Sequence, residues 1–157
     1  MLKNGSKAPQ LTLPSTEGEI TIPSKQITCL IVQRGKFCPT TNKFLTAYQD
    51  IYGRLKEINV SLLSLSTDTL EDNQSLKSSL SLSFPLVSDE EAKAADLYQI
   101  YFEQRKSGRG FYEPALFITD IDQNIAYSVI SSGPKGLPAP GDVLPVLLFM
   151  HTHGGRY

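Results

Sequence analysis

The residue with the clearest potential for chemistry is Cys38, in the segment QRGKFCPTTNK that spans residues 33–43. It follows an apolar run of strand length and precedes Pro39, a residue type that suits the first turn of a helix. A cysteine at a helix N-terminus meets free backbone N–H groups and the positive end of the helix dipole. Both lower the thiol pKa from its ordinary value of about 8.5, and the resulting thiolate attacks peroxides and disulfides. The segment therefore predicts a reactive thiolate at Cys38.

Several neighbours of Cys38 would support this chemistry. Arg34 and Lys36 would add positive charge near the sulfur, and Gly35 would let the loop bend so that the backbone approaches a small substrate. Thr41 is close enough in sequence to hydrogen-bond the sulfur. We therefore predict that Cys38 and Thr41 are catalytic. The residues predicted to bind substrate are Arg34, Gly35, Phe37 and Pro39.

A lone cysteine is more often a small buried hydrophobe than a nucleophile. Position leaves both interpretations open for Cys38, whereas Cys29 lies inside an apolar run and is predicted to be buried. Thr41 stands where a second cysteine would close a local disulfide. Cys29 should lie too far along its strand to replace it, because a disulfide requires Cα atoms within about 7 Å. A working Cys38 would therefore form a sulfenic acid that an outside thiol reduces.

Composition and charge argue against several classes of function. The chain has 157 residues, a formal net charge of −1 and a pI near 6.1, which does not favour nucleic acid or an anionic membrane as a partner. The start of the sequence lacks the apolar stretch of a signal peptide, and no apolar run is long enough to span a bilayer. Two cysteines fit a reducing cytoplasm better than a disulfide scaffold. His151 and His153 cannot supply a zinc site alone, so neither a metal nor another cofactor is predicted.

The spacing of apolar residues predicts alternating strands and helices. The most distinct helix begins near Pro39 and carries one apolar stripe at spacings of three and four residues. Asp68 and Asp89 are interpreted as residues that start later helices rather than as a catalytic carboxylate pair. The predicted elements are a hairpin around Glu17 and Gly18, strands over 26–33 and 60–66, a helix over 67–82, a short strand and helix over 84–101, two strands around a turn at 122–124, and a helix over 140–150 that contains Pro145.

This order predicts an α/β protein with a thioredoxin-like fold. The expected architecture is a three-layer sandwich, in which helices flank a mixed central sheet with a largely parallel centre and an N-terminal β-hairpin. Residues 1–150 are predicted to form a single domain and residues 151–157 a flexible tail. The Pro/Gly-rich segment 133–142 is predicted to be a loop that could shape a groove or a homodimer contact.

Five segments of the chain carry a family resemblance: GSKAPQLTL, RGKFCPTTNKFL, LLSLSTDT, FPLVSDEEAKAADLYQIY and EPALFITDIDQNI. Together and in this order, they resemble the peroxiredoxin superfamily of alkyl hydroperoxide reductase and thiol-specific antioxidant proteins. The cysteine segment is similar to the Arg-Gly-x-Trp-Cys-Pro-x-Cys pattern of the thioredoxin-like branch and to the Cys-Pro-Thr of typical peroxiredoxins. The others resemble the opening Gly-x-x-Ala-Pro, a strand ending in Ser-x-Asp, a Phe-Pro-Leu-x-Ser-Asp helix start, and a Pro-Ala-x-Phe-Ile-x-Asp strand.

The departures from this resemblance fall in the site. Gly35 stands where the family has a threonine that helps to hold the peroxide, and Ile31 where it has a proline. Pro114 stands where the family has an active-site arginine, and it matches the proline of thioredoxins, which is typically cis and faces the sulfur. The resemblance thus implies that Pro114 is a catalytic residue, and it leaves the cis or trans state of the bond from Glu113 open. The missing charge would come from one of two arginines that would otherwise be ordinary surface residues, Arg34 or Arg109.

Three hypotheses follow. The first is a one-cysteine peroxidase, in which Cys38 reduces hydrogen peroxide or an organic hydroperoxide and a thioredoxin-like protein or glutathione restores the thiol. The second is a monothiol protein for thiol–disulfide exchange, with a disulfide as substrate. The third is a thioredoxin-fold protein that binds a partner or senses oxidation without catalysis.

Overall fold

A seven-stranded mixed sheet forms the centre of the structure, a computed structural model that describes residues 2–106 and 108–157. The strand order is β2-β1-β5-β4-β3-β8-β9. Strands β3, β4 and β5 pair in parallel, and the remaining pairs in the sheet are antiparallel. The strand bounds are β1 Leu11–Ser15, β2 Gly18–Ile22, β3 Ile27–Val32, β4 Val60–Ser66, β5 Leu86–Ser88, β8 Ala115–Thr119 and β9 Ile125–Ile130.

Four helices and a small second sheet complete the described chain. A two-stranded antiparallel hairpin, β6 and β7, precedes β8 and pairs Phe102 with Tyr112. The remaining bounds are α1 Pro39–Glu57, α2 Leu70–Ser79, α3 Ala94–Tyr98, α4 Pro140–Thr152, β6 Phe102–Glu103 and β7 Phe111–Tyr112. No helix in this part of the chain has the length and apolar character needed to cross a membrane.

Strand β3 lies inside the sheet, between β4 and β8, and every one of its residues is buried. An almost continuous apolar run is typical of a strand covered on both faces. Its neighbours extend the apolar surface, since Leu30 stands opposite Leu63 of β4 and Phe117 of β8. The loop that carries Cys38 starts directly after β3. Its first residue is therefore held in place by a fully buried strand.

The two faces of the sheet carry different apolar clusters. Cys29 and Ile31 of β3 pack with α1 and α4, together with Leu76 of α2. Leu30 and Val32, which alternate with them, pack on the other face with α3 and the β6–β7 hairpin. Helices α1, α2 and α4 form one outer layer, and α3 with the β6–β7 hairpin forms the other, which confirms the predicted three-layer α/β fold with its N-terminal hairpin and parallel centre.

The bond from Glu113 to Pro114, whose state the sequence left open, is trans, and the cis peptide bond in the described residues joins Ile22 to Pro23. One local prediction about a helix start was wrong. Helix α3 begins at Ala94 rather than next to Asp89. Asp89 nevertheless stabilises the N-terminus of α3, because its carboxylate accepts hydrogen bonds from the N–H groups of Lys93 and Ala94, both at 2.9 Å.

Both ends of the described chain contact the turn 120–124 between β8 and β9. From the start of the chain, the Ala8 N–H donates to Gln123 O at 2.9 Å, and Lys7 Nζ donates to Asp122 O. From the other end, Arg156 Nε donates to Asp122 Oδ2 at 2.7 Å. The Ile121 N–H donates to the carbonyl oxygen of the buried Gly155 at 3.1 Å. Gly155 and Arg156, in the segment 151–157 predicted to be a flexible tail, therefore contact this turn, and residues 151 and 152 belong to α4.

Candidate active site

Cys38 lies at the start of α1, as its position before Pro39 predicted. It is the N-cap residue, with extended backbone angles of φ −96° and ψ 117°. Its N–H donates to Gly35 O at 3.1 Å, which closes the loop before the helix. Only 5% of the residue is exposed. The sulfur therefore sits at the positive end of a 19-residue helix, in a largely desolvated position.

Nearby donor groups shift the Cys38 thiol toward thiolate by lowering its pKa. Burial is the largest single influence and raises its pKa, but the N–H groups of Thr41 and Thr40, the Arg34 guanidinium and the Thr41 hydroxyl together outweigh burial. The pKa of Cys38 therefore lies below its ordinary value, and the thiolate persists to lower pH than in an unperturbed cysteine. Cys29 is the opposite case, because burial with no compensating donor raises its pKa to about 12.

Arg34 is held beside the sulfur by a buried carboxylate. Its NH2 group lies 3.0 Å from Glu113 Oε1, and the Glu113 side chain is only 4% exposed. The guanidinium carbon also lies 4.6 Å from the centroid of the Phe111 ring. Arg34 is therefore fixed by a charged partner and by an aromatic face, and is not the ordinary surface arginine of the alternative interpretation. Arg109, the other candidate, pairs with Glu90 at 3.1 Å at the surface.

Gly35 is required by the shape of the loop. Its φ of +127° is a conformation that side-chain-bearing residues rarely adopt, and a Cβ there would lie 2.8 Å from Asp68 Oδ1. Asp68 Oδ2 instead accepts the Lys36 N–H at 2.7 Å. Burial raises the pKa of Asp68. The interpretation of Asp68 as the residue that starts α2 was wrong, because Thr69 caps that helix and Asp68 anchors the Cys38 loop.

We expect Gly35→Thr, which restores the residue type implied by the resemblance, to destabilise the fold by about 2 kcal/mol through backbone strain alone. The contact with Asp68 adds to this cost, and displacement of the loop should slow oxidation of Cys38. Urea denaturation and the rate of peroxide consumption measure the two effects. Gly53→Thr is the control, because Gly53 lies in α1 with open space at its Cβ position. A Gly35→Thr protein of unchanged stability and higher peroxide rate would contradict this account.

Phe37 and Arg105 cover the outer side of the loop. The Phe37 and Phe111 rings pack edge to face with centroids 5.2 Å apart. The guanidinium carbon of Arg105 lies 4.0 Å from the Phe37 centroid. Phe37 remains 48% exposed, so it forms part of the surface that an incoming molecule would meet before reaching Cys38.

A cavity of about 480 Å³ is lined by the first turn of α1, which directly follows Cys38. Pro114 forms part of its wall, close to Thr41, so the structure brings these two predicted site residues together. Gln33, which sequence reasoning missed, also lines it and donates from Nε2 to Ser64 Oγ at 3.1 Å. The loop 133–142 does shape a groove, since part of it closes the cavity. The other lining residues are Pro39, Thr40, Lys43, Phe44, Pro134, Lys135, Gly136 and Leu137.

Sequence reasoning also missed two carboxylates of this site. Glu113 had a weak signal, because it is a charged residue directly before the apolar run of β8. Asp68 was noticed but given a different role.

In residues 2–106 and 108–157, no group of three or more His, Cys, Asp or Glu side chains has the arrangement of a metal site. His153 stacks on Phe149 instead, with ring centroids 3.8 Å apart.

Comparisons with known proteins agree with this geometry. A curated relative, a putative peroxiredoxin bcp of Coxiella burnetii, is 26% identical over 122 residues, which cover 74% of this chain and 80% of the relative. The peroxiredoxin 6 of Arenicola marina has a similar structure, with a TM-score of 0.83, 19% identity and coverage of 98% of this chain and 76% of that one. A yeast mitochondrial 1-Cys peroxiredoxin gives a TM-score of 0.79 and 21% identity, with 98% and 80% covered.

The family model for AhpC/TSA matches residues 4–128, which include β1 through most of β9, the Cys38 loop, α1 and Glu113 with Pro114. The structural neighbours share the thioredoxin-like fold. The chain therefore belongs to the AhpC/TSA family of the peroxiredoxin superfamily, and it is an enzyme of the thiol-dependent peroxidase and oxidoreductase class.

Proposed function

We propose that this protein reduces hydroperoxides with Cys38 as its single reacting thiol. The observation that carries the proposal is the position of Cys38 at the N-terminus of α1, where backbone N–H groups and Arg34 lower its pKa beside a cavity of substrate size. A thiolate that is partly desolvated and surrounded by donors is the form that attacks a peroxide oxygen.

The reaction has two stages. The Cys38 thiolate attacks the terminal oxygen of R–O–O–H, the O–O bond breaks, and the alkoxide takes a proton to leave as R–OH. Sulfur loses two electrons and becomes a sulfenic acid, while the peroxide gains them. An external thiol then attacks the sulfenic sulfur and displaces water, which leaves a mixed disulfide. A second external thiol releases Cys38 as a thiol and carries away the disulfide.

The single-cysteine character is supported by the location of Cys29. It lies in the middle of β3, between Leu62 of β4 and Ile118 of β8, and it is fully buried. Both cysteines are free. Thr41 occupies the position of a local resolving cysteine, and its N–H and hydroxyl groups instead lower the pKa of Cys38. The yeast mitochondrial 1-Cys peroxiredoxin resolves its thiol through glutathione and thioredoxin systems, and we propose reductants of the same kind here.

We assign roles to the remaining site residues on the same basis. Arg34 stabilises the thiolate and the leaving oxygen, and Gly35 lets the loop approach Asp68. Phe37 and Pro39 border the approach to the sulfur, and Pro114 forms the opposite wall. Because the cavity is lined largely by apolar groups, we expect organic hydroperoxides to be better substrates than hydrogen peroxide.

The protein would need an external reductant and a reducing compartment. The reductant is a thioredoxin-like protein or glutathione, and the free thiols suit a reducing compartment such as the cytoplasm. We propose a homodimer as the assembled state, which sedimentation at micromolar concentration would test.

A second candidate function is monothiol exchange with disulfides. The feature that favours it is Pro114, a proline in the wall beside Thr41 where the family resemblance implies an arginine. In this alternative the Cys38 thiolate attacks a disulfide sulfur and forms a mixed disulfide without a sulfenic acid.

Stopped-flow mixing of the reduced protein with cumene hydroperoxide and with hydrogen peroxide separates these functions. We expect rapid consumption, a sulfenic acid on Cys38 located by trapping and mass spectrometry, and a higher rate constant for cumene hydroperoxide. Reaction no faster than that of a free small-molecule thiol would overturn the peroxidase proposal. Rapid formation of a mixed disulfide with oxidised glutathione under those conditions would then favour exchange.

A further inference from the structure

Glu113 is a buried carboxylate directly behind the Cys38 loop. The residue is only 3% exposed, and its Oε1 accepts from Arg34 NH2 at 3.0 Å. Its backbone N–H donates to Tyr101 O at 2.9 Å, so its main chain is fixed by the segment next to β6. Such burial of a carboxylate is costly unless a charged partner compensates it. Among the described residues, that partner is Arg34.

The pair is joined by one hydrogen bond rather than by two. Glu113 Oε2 and Arg34 Nε are both buried, and neither has a hydrogen-bond partner in the described residues. A bidentate pair would have used two N–H groups of the guanidinium. With one bond to Glu113, Arg34 keeps other donors for the sulfur, whose thiolate it stabilises.

Arg34 needs this support because its side chain is long and is 21% exposed. Its stacking on Phe111 fixes the plane of the guanidinium but leaves it free to slide across the ring. The bond to Glu113 removes that freedom, since β7 leads straight into Glu113 and carries Phe111 as well.

We propose that Glu113 is a positioning residue, which holds the Arg34 guanidinium where it stabilises the Cys38 thiolate and the oxygen that leaves when the peroxide bond breaks. This inference rests on the proposed peroxidase function. Charge develops on the leaving oxygen as the O–O bond breaks, and a donor placed in advance stabilises it without reorganisation. A displacement of the donor by about 1 Å can cost about 100-fold in rate.

A double-mutant cycle tests the proposal by comparing Glu113→Ala and Glu113→Gln, each alone and combined with Arg34→Met. Glu113→Ala should slow oxidation of Cys38 by about 100-fold. Glu113→Gln keeps an oxygen that can accept from Arg34, and it should restore the rate to within about threefold of wild type. In the Arg34→Met background the two substitutions at Glu113 should give equal rates. Thermal unfolding establishes that each variant is folded.

Alkylation of Cys38 by iodoacetamide across a pH series is the second readout, and it needs no peroxide. Glu113→Ala should raise the midpoint of this pH profile, whereas Glu113→Gln should leave it close to wild type. Equal slowing by Glu113→Ala with and without Arg34, or an unchanged midpoint in folded Glu113→Ala, would overturn the inference.

Glu113→Leu combined with Arg34→Met replaces the whole pair by apolar groups, and it covers the case in which Glu113→Ala does not fold. We expect this protein to show the same raised midpoint as Arg34→Met alone, and a lower midpoint than Arg34→Met would overturn the inference. Wild-type protein that is unreactive toward peroxide would refute the proposed function instead, while the alkylation profiles would still decide the role of Glu113.

Discussion

We expect Cys38→Ser to reduce hydroperoxide consumption to the uncatalysed background. A serine hydroxyl is a weak nucleophile at its own pKa, and none of the donors around Cys38 would ionise it at neutral pH. Steady-state consumption of cumene hydroperoxide with dithiothreitol as reductant measures the effect. The matched control is Cys29→Ala, which removes the other thiol from the core. It should retain a rate within about twofold of wild type, because a thiol with a raised pKa contributes little thiolate.

A large loss of activity in folded Cys29→Ala would contradict a single-cysteine mechanism, since it would make Cys29 a participant. Residual activity in Cys38→Ser that disappears when Cys29 is also replaced would have the same meaning. The outcome therefore decides between one reacting sulfur and two.

The largest effect on stability is expected for Asp89→Ala. Asp89 is fully buried and accepts from Tyr112 Oη at 2.6 Å as well as from the N–H groups of Lys93 and Ala94. Removal of the carboxylate leaves these donors without a partner, at about 1–3 kcal/mol for each buried group. We expect a loss of about 4 kcal/mol in the free energy of unfolding, measured by urea denaturation. Tyr112 directly precedes Glu113, so activity should fall as well.

Tyr112→Phe is the matched control for this prediction. It removes one donor and leaves the Asp89 carboxylate bonded to the start of α3, so it should cost about 1 kcal/mol. A loss in Asp89→Ala no greater than that in Tyr112→Phe would show that the backbone bonds of Asp89 contribute little.

The elements around Cys38 were predictable because their signals are local. The apolar run that became β3 and the proline that begins α1 each act within a few residues, and together they place Cys38 at a helix N-terminus. The hairpin at Gly18 likewise depends on neighbouring residues. By contrast, β6 and β7 have two residues each. Such short strands form because of their packing against the rest of the structure. Two residues are too few to show the alternation of apolar and polar residues that predicts a strand.

The contacts that complete the site could not be predicted, because they join distant parts of the chain. Arg34 and Glu113 are separated by 79 residues, and Lys36 and Asp68 by 32. A single sequence identifies the charged residue types but not which pair becomes buried together. The choice between Arg34 and Arg109 as the site arginine therefore stayed open until the fold placed one beside the sulfur and the other at the surface.

The contact of both chain ends with the turn 120–124 makes the protein a suitable scaffold for circular permutation. Asp122 accepts from Lys7 and from Arg156, so segments from both ends of the described chain meet at one residue, and we expect a Gly/Ser linker between residues 157 and 2 to be tolerated. New ends opened at the exposed Ser81, between α2 and β5, would leave the Cys38 loop and its partners intact. In such a permutant one continuous segment would carry both Lys7 and Arg156, the two residues that bind Asp122.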